Sequence, residues 1–132
     1  MYLGIDIGGT KTLVACLDRN GVIRERVKFP TPVVYGDFLR ELADTVATLA
    51  TKQFIAVAVA IPGRVERKKG IGVAFGNLHW HDIPIQRDVK RLARCPVIVE
   101  NDANLAGLSE AMLLKDTFQK VLYLTILSLI HI

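Results

Sequence analysis

The stretch Tyr2-Leu3-Gly4-Ile5-Asp6-Ile7-Gly8-Gly9-Thr10-Lys11-Thr12-Leu13-Val14-Ala15-Cys16-Leu17-Asp18 holds two short β-prone runs, residues 2–6 and 12–18, joined through Gly8-Gly9. The second run leads to Asn20-Gly21, a pair that favours a two-residue hairpin turn. From residue 23 to 29 the chain then alternates, with Ile23, Val27 and Phe29 on one face and Arg24, Arg26 and Lys28 on the other. That is the mark of a strand with one solvated side. Three antiparallel strands are therefore predicted to open the domain.

Beyond them, Pro30 and Pro32 break the strand pattern. Phe38, Leu39, Leu42, Ala43, Val46, Leu49 and Ala50 then recur at helical spacing behind Asp37, a good N-cap type. Residues 54–61 are an unbroken apolar run, as expected of a strand covered on both faces at the centre of a sheet, and Pro62-Gly63 ends it. A hairpin is expected around Lys69-Gly70. Pro84 suits the first turn of a short helix striped by Ile85, Val89, Leu92 and Ala93, which Pro96 stops. Residues 97–99 form another strand, and a helix with Leu105, Leu108 and Met112 on one face follows. Residues 121–126 supply the last strand. This order predicts an α/β fold with a mixed sheet flanked by helices.

Length and composition narrow the functional classes. A chain of 132 residues fits one domain of the usual size, about 100–150 residues. Its 51% hydrophobic and 23% charged residues exclude disorder across the whole chain. The formal charge of +4 is mixed along the sequence, and Lys68-Lys69-Gly70 is too short for a nucleic-acid footprint, so no nucleic-acid partner is implied. The first six residues run from an apolar start straight to Asp6 without a basic n-region, so no signal peptide is expected. Nine of the last twelve residues are apolar, fewer than the roughly 20 that a membrane helix needs, and no membrane partner is expected. Cys16 and Cys95 form no C-x-x-C pair, which favours a reducing, cytoplasmic setting.

Ligands of open α/β sheets gather at the carboxyl ends of strands, and three clusters fall there. In Asp6 to Thr12, two adjacent glycines let backbone N–H groups face a common point, a nest suited to phosphate. Asp6 beside it would serve a hydrated Mg²⁺, which accepts one or two carboxylates and phosphate oxygens. The same residues also read as a plain hairpin turn with a solvated Lys11. In Glu100-Asn101-Asp102-Ala103-Asn104, a helix amino end favours the negative charge that a general base needs at Asp102, while Asn and Asp are also the commonest N-caps. In the expected loop Asn77-Leu78-His79-Trp80-His81-Asp82, the amide and the aromatic ring suit a sugar. The two histidines with Asp82 suggest a metal, and Trp80 reads equally as a core anchor.

Together, Gly4-Ile5-Asp6-Ile7-Gly8-Gly9-Thr10-Lys11-Thr12, Ile61-Pro62-Gly63-Arg64-Val65, Asn77-Leu78-x-Trp80-x-x-Ile83-Pro84-Ile85 and Glu100-Asn101-Asp102-Ala103-Asn104 resemble the amino-terminal domain of the ROK family. These are sugar kinases and related repressors with the actin-like, ribonuclease-H-like ATPase fold. The resemblance implies an ATP-dependent hexose or N-acyl-hexosamine kinase. Asp6, Gly8, Gly9, Thr10, Lys11 and Thr12 would bind the ATP phosphates, and Asp6 would reach Mg²⁺ through water. Gly63, Asn77, Asn101 and Asp102 would bind the sugar, with Asp102 as catalytic base. It also implies a homo-oligomeric parent, and a second lobe carrying a structural zinc. Residues 1–126 would form the amino-terminal lobe. Residues 127–132 depart from the family's glycine-rich continuation and read as a non-native or truncated tail, with the isolated chain inactive. The alternatives are a sugar-responsive repressor of the same family and a non-catalytic sugar-binding remnant.

Overall fold

A computed structural model describes residues 1–124. Three strands, β1 (Tyr2–Ile7), β2 (Lys11–Leu17) and β3 (Ile23–Pro30), form an antiparallel meander. Helix α1 (Tyr35–Thr48) leads to β4 (Val57–Ile61), which pairs with β1 in parallel. Strands β5 (Gly63–Glu66), β6 (Ile71–Phe75) and β7 (Leu78–Ile83) make a separate three-stranded sheet. Helix α2 (Ile85–Ala93) then leads to β8 (Val97–Asn101), parallel to β4, and α3 (Asp102–Leu114) follows directly. The main sheet has the order β3-β2-β1-β4-β8.

Period-two alternation divides this sheet into two faces. Leu3, Ile5 and Ile7 of β1, Val14 and Cys16 of β2, Val57, Val59 and Ile61 of β4, and Val97 and Val99 of β8 point into one core. Phe38, Leu42 and Leu49 of α1 and Ile85 and Val89 of α2 close it. Phe75, Leu78 and Trp80 bring the small sheet onto the same core. Trp80 packs 5.0 Å from Phe38 and 5.3 Å from Phe75, ring centre to ring centre. Its indole N–H donates to the Val33 carbonyl at 2.7 Å, so the one polar atom of this large buried ring is satisfied. Helix α3 lies on the opposite face, where Leu105 borders a shallow cavity with Gly4, Asp6, Ala58 and Ala60. The mixed sheet, its antiparallel opening and its flanking helices match the sequence expectation.

Several local expectations give way. The centre of the sheet is β1, and β4 starts only at Val57, because Phe54 and Ile55 lie before the parallel pairing begins. The β2–β3 link is wider than a two-residue turn. The Asp18 carboxylate accepts the Asn20 and Val22 N–H groups and pairs with Arg24, which stabilises a longer loop with Gly21 in the left-handed region. Val34, not Asp37, stands at the α1 N-cap, and Asp37 sits in the first turn paired with Arg40. Residues 78–83 are a strand rather than a loop, with Leu78 and Trp80 inward and His79 and His81 outward. Of the expected last strand, residues 121–124 are not in a strand, since nothing among the described residues offers them a ladder. Its last two residues, and the tail at 127–132, lie outside the described residues. Among those described, no helix is long and apolar enough to cross a membrane.

Candidate active site

Parallel pairing sets the geometry. Asp6 of β1 stands opposite Ala60 of β4, and Ile61 of β4 stands opposite Asn101 of β8, so the carboxyl ends of the three strands finish level. Adjacent strands lie about 4.8 Å apart, which puts the turn after β1 and the junction after β8 roughly 10 Å from each other. A sugar hydroxyl and a phosphoryl group fit in that interval. The Asp6 carboxyl is raised above its ordinary value, first because the flanking strands strip part of its water and second because the Asp102 charge faces it.

The glycine turn fixes one wall. The Gly8 N–H donates to the Lys11 carbonyl at 3.0 Å, closing the hairpin, so that group is spent within the protein. Gly9 lies against Asn77, where a Cβ would come within 3.0 Å of the Asn77 Cβ. That contact joins the first cluster to the third. Lys11 is exposed at the start of β2, with no ion pair among the described residues. Thr12 departs from the expectation: its side chain is fully buried, and its hydroxyl lies 2.9 Å from the Thr31 hydroxyl. The alternation of β2 turns it toward the core, so the Thr12 side chain supports the turn from beneath instead of offering a phosphate contact.

The β8–α3 junction forms the other wall. Asn101 caps α3, its side-chain oxygen accepting the Asn104 N–H at 3.1 Å, and its amide nitrogen donates to the Gly63 carbonyl at 2.8 Å. The amide thus keeps one proton and one lone pair for a ligand. Asp102 opens α3 and is exposed, its carboxylate accepting the N–H of Ala103. Gly63 begins β5. The Gly76 N–H donates to the Pro62 carbonyl at 2.7 Å, which draws the turn bearing Asn77 to the same place. Contacts thus link Gly9 to Asn77 and Asn101 to Gly63, while Asp6 and Asp102 are exposed at the same end of the sheet.

Two supporting residues escaped the sequence reasoning. Glu100 accepts from Arg67 of the β5–β6 turn, from the Asn104 amide at 3.0 Å and from the Asn101 N–H at 2.7 Å. Arg67 therefore anchors the junction. The only available signal was a carboxylate just before the cap, with no spacing to name its partner. His79 and His81 lie on the exposed side of β7, and no group of three His, Cys, Asp or Glu side chains capable of holding a metal occurs among the described residues. The Asp6 site suits Mg²⁺ on other grounds: a carboxylate beside a second carboxylate gains from a cation that brings its own waters and phosphate oxygens as ligands.

Known proteins share this fold. The glucokinase of Streptomyces coelicolor is 32% identical over 111 residues, covering 83% of this chain and 35% of its own length. The N-acetylmannosamine kinase of Salmonella newport is 30% identical over 131 residues, covering 94% of this chain and 43% of its own. Among solved structures, a ROK family glucokinase from Streptomyces griseus in complex with glucose and AMPPNP superposes with a TM-score of 0.75 at 30% identity, over 83% of this chain and 36% of that one. The chain thus spans well under half the length of these relatives. The ROK family pattern itself matches residues 2–128, nearly end to end, and on that match this chain belongs to the ROK family.

Proposed function

We propose that residues 1–126 are the amino-terminal lobe of an ATP-dependent kinase acting on a hexose or an N-acyl-hexosamine. The observation that carries the proposal is that β1, β4 and β8 end level, which brings the glycine turn after Asp6 and the junction bearing Asp102 to one edge of the sheet. Asp102 accepts the proton of the attacking sugar hydroxyl, a contribution of about 10²–10⁴-fold in comparable general-base reactions. Asn101, Asn77 and the Gly63 backbone border the sugar and orient that hydroxyl. The turn formed by Gly8, Gly9 and Thr10, with Lys11 beside it, receives the phosphates, and Asp6 holds Mg²⁺ through a water. When bound, Mg²⁺ and ATP supply the transferable phosphoryl group and neutralise its charge. The glucokinase and N-acetylmannosamine kinase relatives support both sugar classes.

Phosphoryl transfer depends on positioning from every side, so the 132-residue chain by itself is expected to be inactive. The test is coupled ADP release with glucose, N-acetylglucosamine, N-acetylmannosamine and fructose, run on this chain and on the protein extended to the length of its relatives. Turnover of glucose or a hexosamine by the extended protein alone is expected. Turnover by the short chain would refute the lobe assignment, and failure of the extended protein with every sugar would refute the kinase assignment.

A further inference from the structure

Thr31, between Pro30 and Pro32, touches the glycine turn at two points and the buried Thr12 of β2 at a third. Its N–H donates to the Thr10 carbonyl at 2.9 Å, and its hydroxyl donates to the Gly8 carbonyl at 2.8 Å. That hydroxyl has a single proton, so its 2.9 Å contact with the buried Thr12 hydroxyl has Thr12 as donor. One residue therefore draws two carbonyl oxygens of the turn toward the protein and is itself fixed from below. Among the described residues, the Gly9 and Thr10 N–H groups have no backbone partner. With the oxygens turned in and those donors left over, the positive ends of the peptide groups dominate the side an anion would approach.

We propose that Thr31 is a positioning residue for the phosphate-binding turn, its hydroxyl and N–H holding the Gly8 and Thr10 carbonyls inward so that the Gly9 and Thr10 N–H groups are ready for phosphate. The proposal rests on the phosphate assignment of that turn. Thr31 acts through the turn, since its hydrogen bonds run to Gly8, Thr10 and Thr12. A side chain at residue 31 that lacks the hydroxyl frees the Gly8 carbonyl to tilt outward and leaves the buried Thr12 hydroxyl without its acceptor. Serine keeps every one of these bonds. Valine keeps the shape and the N–H bond to the Thr10 carbonyl but loses both hydroxyl bonds.

The test is a ¹⁵N NMR titration of the 132-residue chain with Mg²⁺-ATP and, separately, with inorganic triphosphate, following the Gly9 and Thr10 amides. In the wild type both amides shift saturably. Thr31→Val weakens the binding by about tenfold or more, as expected for two lost hydrogen bonds, and Thr31→Ser leaves it nearly unchanged. The Val59, Val99 and Asn101 amides keep their wild-type positions in both variants, which a general loosening of the fold would not allow. Should the valine variant fail to fold, Thr31→Ala removes the same hydroxyl with less bulk and is expected to weaken binding likewise. A folded valine or alanine variant that binds as the wild type does would overturn the positioning role alone. A wild type whose Gly9 and Thr10 amides ignore both ligands would overturn the phosphate assignment, and this role with it.

Discussion

The turn after β1 and the junction after β8 stand at the same end of one sheet, yet the first is held mostly through main-chain atoms and the second through side chains. At the turn, Gly8, Lys11, Thr10 and Thr31 exchange hydrogen bonds in which nearly every acceptor is a carbonyl. At the junction, Glu100, Asn101, Asn104 and Arg67 are linked chiefly by a carboxylate and two amides. A wall that must present peptide N–H groups cannot spare room for side chains. A wall that must present one carboxylate needs other polar groups to fix its direction. The two should therefore fail for different reasons: the turn when volume is added, the junction when charge or amide is changed.

The largest effect is expected at the junction, in the chemistry. Asp102→Asn keeps the size and the start of α3 but removes the proton acceptor, so turnover of the extended protein should fall by about 10²–10⁴-fold with sugar affinity little altered. Kinetics and equilibrium sugar binding together check it, since a merely structural fault would lower both. The same substitution should let the Asp6 carboxyl titrate at a lower pH, because the Asp102 charge that helps raise it is gone. An Asp6 resonance that titrates unchanged would mean that the two carboxylates do not share a cleft.

At the turn the corresponding change is one of volume. A Cβ on residue 8 would lie 2.7 Å from the Lys11 carbonyl oxygen, a backbone atom held by the hairpin bond. Gly8→Ala should therefore cost about 1–3 kcal/mol of stability, the usual range for forced overpacking. Urea unfolding measures it. A neutral result would show that the hairpin can yield and that main-chain crowding does not define this wall.

The same division explains what could be read before the structure was known. Gly8-Gly9 between two apolar runs, and Asn101-Asp102 between a strand and a helix, announced themselves because turn and cap chemistry is local. So did the fold, through period-two strands and a period-3.6 helix at Phe38, Leu42 and Leu49. Partners distant in sequence left no such trace. Arg67 and Glu100 are 33 residues apart, and Thr31 and Gly8 are 23 apart. The first pair joins the small β5-β6-β7 sheet to the end of β8, and the second joins the far end of the β1-β2-β3 meander to its first turn, contacts that no spacing in the sequence names. Thr12 was misplaced for a simpler reason: motif logic assigned it to the phosphates, while the alternation of β2, with Val14 and Cys16 inward, already turned it to the core.

The smallest effect separates the two walls most cleanly. The Arg67 guanidinium, more than any other contact, holds the Glu100 carboxyl down to about 2, with the Asn104 amide and the Asn101 N–H helping and partial burial opposing. A carboxyl lowered on folding adds stability that is complete above its ordinary value of 4.5 and disappears as the pH falls toward 2. Glu100→Gln should accordingly be less stable than the wild type near neutrality, by less than Gly8→Ala, with a gap that closes over that acidic interval. Added salt should narrow the gap further, because Arg67 is exposed. The Gly8→Ala deficit arises from crowding between uncharged backbone atoms and should stay constant across the same pH and salt range. Unfolding midpoints of the three proteins, measured side by side, decide the matter: two parallel deficits would mean that charge does not hold the β8–α3 junction, while a closing gap beside a constant one separates a wall held by ions from a wall held by shape.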